Sequence, residues 1–288
     1  MRHALSPAAI NFALTNRLPR ALCTIVFGRL SKLKIRWLAR LMIGIWQRFS
    51  DLDLSDAQRR DFDSLHDCFT RELRPGARPI QGGAGTWISP CDAIIGAHGV
   101  IEDMTMLQAK GMAYRLDELL GSPADAERYR NATYITLRLT AQMYHRFHSP
   151  ADCRIDRVDY ISGDCWNVNP PALDRVPRLF CRNERAVIHC QNTETGEPLA
   201  LVAIAAILVA SIRLRFADVL LHLRYRGTNP IACAHVAKKG DELGWFEHGS
   251  TIIVLAPQGT RLAASLSTGQ RIRMGEVLLE SDSPQYFV

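Results

Sequence analysis

K-G-D-E-L-G-W-F-E-H-G-S-T-I-I-V-L, Lys239 to Leu255, changes character at a single bond. Upstream of Gly249 the run is polar and punctuated by glycine, with Lys239, Asp241, Glu242 and Glu247. From Ser250 it becomes Thr-Ile-Ile-Val-Leu, the β-branched pattern of a buried strand. Ser250 therefore falls at a loop-to-strand junction, where a rigid element can aim a loop residue. Gly249 has no Cβ to crowd its own carbonyl carbon and can take backbone angles closed to other residues. That leaves the Gly249 carbonyl open to the neighbouring Ser250 hydroxyl. The alternative is a glycine that ends a turn and a serine that starts a strand, with no chemistry attached.

At 288 residues and 47% hydrophobic, the chain can bury a full core as one large domain or as a domain with a helical appendage. Its eight cysteines, at 23, 68, 91, 153, 165, 181, 190 and 233, contain no C-x-x-C pair. This scatter fits reduced, packed thiols in a cytoplasmic setting, not a disulfide framework or a zinc site. The net charge of +6 is unevenly placed: residues 1 to 50 hold nine Arg and Lys and no acid, and all 29 Asp and Glu lie beyond. Such asymmetry points to an anionic partner for the N-terminal segment, a membrane surface or nucleic acid.

Met1 to Arg20 lacks a sustained apolar stretch and is not read as a cleaved signal peptide. From Ala21 to Phe49 the periodicity predicts a helix, broken near Gly44. Val26, Leu30, Leu33, Trp37, Leu41 and Ile45 share one face and Arg29, Lys32, Arg36 and Arg40 another. Trp37 and Trp46 add interfacial anchors, as in a helix lying in the plane of an anionic bilayer. The competing reading packs the apolar stripe on the protein's own core. Nucleic acid is disfavoured because the basic stretch is interleaved with an apolar face, not with stacking aromatics.

Asp56 to Leu65 is expected to be helical, and the Pro75-Gly76 and Arg78-Pro79 pairs to end regular structure. Thr133 to Thr140 alternates, with Ile135, Leu137 and Leu139 on one face and Thr136 and Arg138 on the other. Glu184 to Cys190 and Thr251 to Leu255 read similarly as strands. Leu199 to Ile212 is uncharged over 14 residues, too short for the ~20 a spanning helix needs, and reads as buried strands or a core helix. Gly269 to Glu276 has the look of a final hairpin. The expected class is α+β, a mainly β core (68–288) behind an N-terminal helical membrane-associating region (1–67).

The run K-G-x-E-x-G-x-F-x-x-G-S-T, here Lys239, Gly240, Glu242, Gly244, Phe246, Gly249, Ser250 and Thr251, resembles the self-processing segment of pyruvoyl-dependent phosphatidylserine decarboxylase proenzymes of the bacterial type. Other blocks similar to that family follow its order: F-T-R-E-L-R-P-G-A-R-P-I (Phe69 to Ile80), S-P-C-D (Ser89 to Asp92), Q-A-K-G (Gln108 to Gly111) and Y-H-R-F-H-S-P (Tyr144 to Pro150). N-V-N-P (Asn167 to Pro170), N-E-R (Asn183 to Arg185) and G-Q-R-I-R-M-G-E (Gly269 to Glu276) complete the set, so the resemblance spans nearly the whole chain.

That resemblance implies self-cleavage at Gly249-Ser250 into a β chain, 1–249, and an α chain, 250–288, which stay together as a heterodimer or a dimer of these. It implies Ser250 as nucleophile, His148 as its base and Asp92 as the partner orienting His148, the logic of an activated serine. Ser250 would become a covalent pyruvoyl group that forms a Schiff base with phosphatidylserine, releasing carbon dioxide and leaving phosphatidylethanolamine. His145 would act on the substrate, and His148 would also reprotonate the product. The implied location is the cytoplasmic side of the cell membrane, held peripherally. Ala93, His248, Ala203 and Ala210 depart from residues common in the family. Two other readings stay open: a membrane-binding homologue that no longer processes, and a metal-dependent hydrolase using His145 and His148. Against the second, no third and fourth ligand appear at recognisable spacing, and no metal is expected.

Overall fold

A strand whose apolar side chains point to both faces has to be covered on both. In a computed structural model that describes residues 11, 12, 16, 19–109, 111–207, 211–247 and 250–281, Ser250–Ala256 meets that condition. It lies inside an eight-stranded antiparallel sheet, bonded on one edge to Thr133–Leu139 and on the other to Pro198–Ala205. Arg185–Asn192, Cys153–Ile161 and Ile231–Ala237 extend the sheet one way, and Ala93–Val100 and Arg271–Ile272 the other. Side chains alternate between faces along a strand. Ile252, Val254 and Ala256 enter one core, shared with the four-stranded sheet that contains Arg146–His148 and Glu242–Phe246 and with the three-stranded sheet around Val277–Ser281. Ile253 and Leu255 enter a second core, closed by short helices such as Leu116–Leu120 and Leu179–Arg182. The protein is thus mainly β, with helices.

Between residues 19 and 69 the N-terminal segment forms α1 (Arg20–Ser31) and α2 (Arg36–Phe49), followed by a short α3 (Leu65–Phe69). The break falls at 32–35 and not near Gly44, which stays inside α2. Two contacts stand at the break: the Ser31 hydroxyl bonds back to Gly28 O, and the Lys32 side chain leaves for Glu247, 215 residues away in sequence. α2 turns Ala39 and Ile43 inward onto Leu52, Leu54 and Phe62. The stripe Val26, Leu30, Leu33, Trp37, Leu41 and Ile45 is exposed at every position, Trp37 to 70%. The reading in which this stripe packs on the protein's own core is thereby overturned. Arg36 and Arg40, from the basic face, pair with Asp63 at 2.6 Å and Asp61 at 3.0 Å. Among the described residues no helix is long and apolar enough to cross a membrane.

Two further expectations need correction. Asp56 to Leu65 is not helical: Ala57 bridges Leu73, Asp53 caps Ser55, and Asp61 and Asp63 face α2, so these groups find partners outside a helix. α3 begins only at Leu65, where the Ser64 hydroxyl accepts the Asp67 N–H. Gly269 to Glu276 is not a hairpin either. Arg271–Ile272 edges the eight-stranded sheet, whereas Val277–Ser281 pairs with Thr86–Ile88 and Thr260–Leu262.

Register lays Leu139, Ser250 and Ala205 side by side across the sheet. Glu184, one residue before the Arg185–Ile204 pair, continues that row, and its carbonyl accepts the Ala205 N–H. Glu184 and Ser250 therefore lie about two strand spacings, ~10 Å, apart on one face. The Glu184 side chain is fully buried with neither carboxyl oxygen hydrogen-bonded among the described residues, and nearby Tyr160 gives its hydroxyl proton to His222 O. Burial pushes this carboxyl up to about 8, against a smaller opposing pull from Tyr160. The unfolded chain releases the same proton near ~4.3, so between those values the folded state binds more protons and stability falls as pH rises. Replacing Glu184 with Gln should remove that fall. Urea midpoints measured from pH 5 to pH 8 should decline more steeply for the unaltered protein than for Glu184→Gln; parallel profiles would refute the protonated buried acid.

Candidate active site

Ser250 opens its strand with no solvent exposure, and its hydroxyl has no hydrogen-bond partner among the described residues. A buried hydroxyl left unpaired costs ~1–3 kcal/mol, so this position is unfavourable for stability alone. Gly249 and His248, the residues before it, lie outside the described residues, as do Ala210, Lys110 and most of residues 1–18. Ala93 and Ala203 are both buried within strands of the central sheet.

The upstream arm of the segment owes its path to two glycines. At Gly244 an added Cβ would strike the Arg213 carbonyl oxygen of the paired strand. At Gly240, φ is +92° and a Cβ would stand 2.6 Å from Ile80 Cδ1, so only glycine fits without strain. In that conformation the Gly240 carbonyl receives the His148 Nδ1–H at 2.9 Å. A carbonyl can only accept, which fixes the His148 tautomer: Nδ1 carries the proton and Nε2 the lone pair. The Tyr144 hydroxyl, 3.1 Å away, donates to that Nε2. Burial lowers the His148 pKa, partly offset by the Gly240 bond and by the charges of Glu242 and Asp92.

Asp92 was expected to orient His148. Its carboxylate instead grips Arg78 through two bonds of 3.0 and 2.7 Å and accepts the Met274 N–H at 2.8 Å. Arg78 also holds Asp56 at 2.9 Å. Asp92 thus reaches His148 only through its field, and the orienting hydrogen bond comes from the backbone.

His145 occupies different surroundings. It precedes the strand Arg146–His148, whose alternation sends residues three apart to opposite faces. Its carbonyl accepts the Phe246 N–H at 3.0 Å, so His145 and Ser250 stand at the two ends of a connection of three residues. Nδ1–H donates to Met143 O at 2.9 Å, and Nε2 is buried without a partner among the described residues. Burial drives this imidazole down to about 3. It is therefore neutral near pH 7, with a free lone pair. The ring rests on Phe69 with centroids 3.9 Å apart, and Phe69 stacks on Trp46 of α2 at 6.2 Å. Phe69, Trp46, Met42 and Phe27 line an apolar cleft of about 520 Å³ whose floor includes Leu139 and Ala206, beside the Ser250 row. The cleft reaches from the N-terminal helices to the start of the Ser250 strand.

Among the described residues the His145 and His148 side chains do not share a hydrogen bond or a common partner. The one group of three potential ligands within 4.8 Å among the described residues is Asp125, in the short helix Pro123–Glu127, with Asp159 and His189 on neighbouring strands, and Arg157 is bonded to both aspartates. Tyr144 and Arg78 carried no assigned role in the sequence reading, although both fall in the quoted blocks. A pairing at i and i+4 between Tyr144 and His148 was the available signal. His145 Nε2 and the Ser250 hydroxyl are thus both buried polar groups with no hydrogen-bond partner among the described residues.

The family model for phosphatidylserine decarboxylase matches residues 65–280. Proteins named phosphatidylserine decarboxylase proenzyme are similar along nearly their whole lengths. That of Vibrio cholerae is 36% identical, covering 93% of this chain and 97% of its own. That of Yersinia enterocolitica is 35% identical, with 95% and 97% covered, and that of Brevibacillus brevis 33%, with 92% and 95% covered. The glycines, histidines and serine of the Lys239–Ser250 and Tyr144–His148 segments thus stand in a chain that belongs to the phosphatidylserine decarboxylase family.

Proposed function

We propose that this protein cleaves itself at Gly249-Ser250 and then decarboxylates phosphatidylserine to phosphatidylethanolamine. The observation that carries the reading is the Ser250 hydroxyl, desolvated and without a hydrogen-bond partner among the described residues, at the head of a strand paired on both edges. In this reading His148 Nε2 takes the Ser250 proton once the Tyr144 hydroxyl turns away from it. The Ser250 oxygen attacks the Gly249 carbonyl and the peptide bond becomes an ester, freeing the residue-250 nitrogen as an amine. Loss of the Cα proton and of the upstream chain as a carboxylate leaves a dehydroalanine. Tautomerisation and addition of water release ammonia and leave a pyruvoyl group at the head of the 250–288 chain.

That group supplies a ketone that holds the substrate amine and draws off the electrons left when carbon dioxide departs. His145, neutral with Nε2 free, would face the reacting substrate, and His148 would return the proton to the product. Asp92, fixed by Arg78, would favour the charged form of His148 through space. The two fragments would remain together, since Ser250–Ala256 is hydrogen-bonded on both sides to strands of the larger one.

The exposed stripe of α1 and α2 supports peripheral attachment to an anionic membrane, with residues 1–67 as the membrane-facing layer on the cytoplasmic side. An apolar stripe left in water marks an interaction surface. Apolar burial is the larger part of this attachment, because Arg36 and Arg40 already have partners within the chain.

Ser250→Ala should remain one chain and release no carbon dioxide from phosphatidylserine, and Ser250→Cys should cleave partially through a thioester. His148→Ala should block or greatly slow cleavage, whereas His145→Ala should cleave and lose most decarboxylation. Gel separation of the fragments with carbon dioxide capture checks all four. Decarboxylation by Ser250→Ala at the unaltered rate would refute the mechanism. On vesicles containing phosphatidylglycerol, Trp37→Ser with Phe49→Ser should weaken cosedimentation at least ~10-fold, since burying each ring contributes about 1.5–3 kcal/mol. Undiminished binding would remove α2 from the membrane contact.

A further inference from the structure

We propose that Lys32, at the end of α1, braces the self-cleaving segment by holding Glu247, which makes it a positioning residue for cleavage. The inference rests on the self-cleavage reading above. Attack on a neighbouring carbonyl requires both ends of a short segment to be held, and the downstream end is Ser250, fixed by Leu139 on one side and Ala205 on the other. The upstream end is Glu247, whose N–H bonds Ser211 O at 3.2 Å, directly after the Phe246 N–H bond to His145. Backbone bonds leave its side chain free to set the direction in which the chain departs toward Ser250.

That side chain does not point into solvent. One Glu247 carboxylate oxygen accepts from Lys32 Nζ at 2.7 Å, and the other lies 3.8 Å from His66 Nε2. The carboxylate is 13% exposed and Lys32 44%, an acid set into the surface under a cation from the end of α1. The pair joins positions 215 residues apart, and nothing in the fold of the β core requires it. A half-exposed ion pair adds little to stability, because solvent screens it and two long side chains must be ordered. Misplacing reacting atoms by ~1 Å can slow a reaction ~100-fold. Loss of the pair should therefore register in cleavage rate far more than in stability.

The test uses the full-length protein. Lys32→Glu and Glu247→Lys, alone and together, are followed for fragment formation after synthesis, with thermal midpoints measured on each variant in a Ser250→Ala background. Each single reversal should slow cleavage about 10-fold or more, and the double reversal should return it to within about 3-fold of the unaltered rate. Glu247→Gln, which keeps size and removes charge, serves if a reversal fails to fold, and it should slow cleavage by a similar factor. Singles that cleave at the unaltered rate, or a double slower than either single, would overturn the brace. Failure of the unaltered protein to yield fragments ending at Gly249 and beginning at residue 250 would remove the self-cleavage reading itself, and the brace with it.

Discussion

Covering Ser250–Ala256 on both faces and pairing it on both edges constrains everything near the candidate site. A strand in that position cannot shift register without moving its apolar side chains into the opposite core, so register sets Leu139 and Ala205 on either side of residue 250. The same coverage strips water from the Ser250 hydroxyl. A hydroxyl and, in the same row, a Glu184 carboxyl with no hydrogen-bond partner among the described residues are costs to a sheet's stability. They stand where the proposed chemistry needs a desolvated nucleophile and a released chain.

Around that fixed point, ion pairs hold loops in place. Arg78 joins Asp56 to Asp92 and so ties the Phe69–Ile80 block to the strand Ala93–Val100. Arg146 pairs with Glu242 at 2.9 Å, binding the two strands that present His148 and Gly240. These pairs are partly buried, so removing one partner would strand a charge, and their worth lies in placement more than in net stability. His148 gains its tautomer from a backbone carbonyl made available by the left-handed Gly240. The proton inventory of the site is thus fixed by glycine conformation as much as by charge.

Much of the β core was legible in the chain. Alternation gave Thr133–Leu139 and Arg185–Asn192 to within a residue or two, and continuous apolar runs gave the two-sided strands. What was not legible depended on partners distant in sequence. Asp56 to Leu65 has helix-compatible composition, yet its acids are drawn to arginines of α2. The break between the helices follows a lysine that reaches Glu247, which no window of local sequence contains. The candidate site divides in the same way. Ser250 and both histidines stood out by motif, while the partners of Asp92 and of His148 are set by how loops meet in space.

An intact-mass spectrum of the purified full-length protein bears most directly on the account. It predicts two species: one ending at Gly249, and a smaller one starting at residue 250 and lighter by one ammonia than residues 250–288 with an ordinary amino terminus. A single species with the mass of all 288 residues would contradict it.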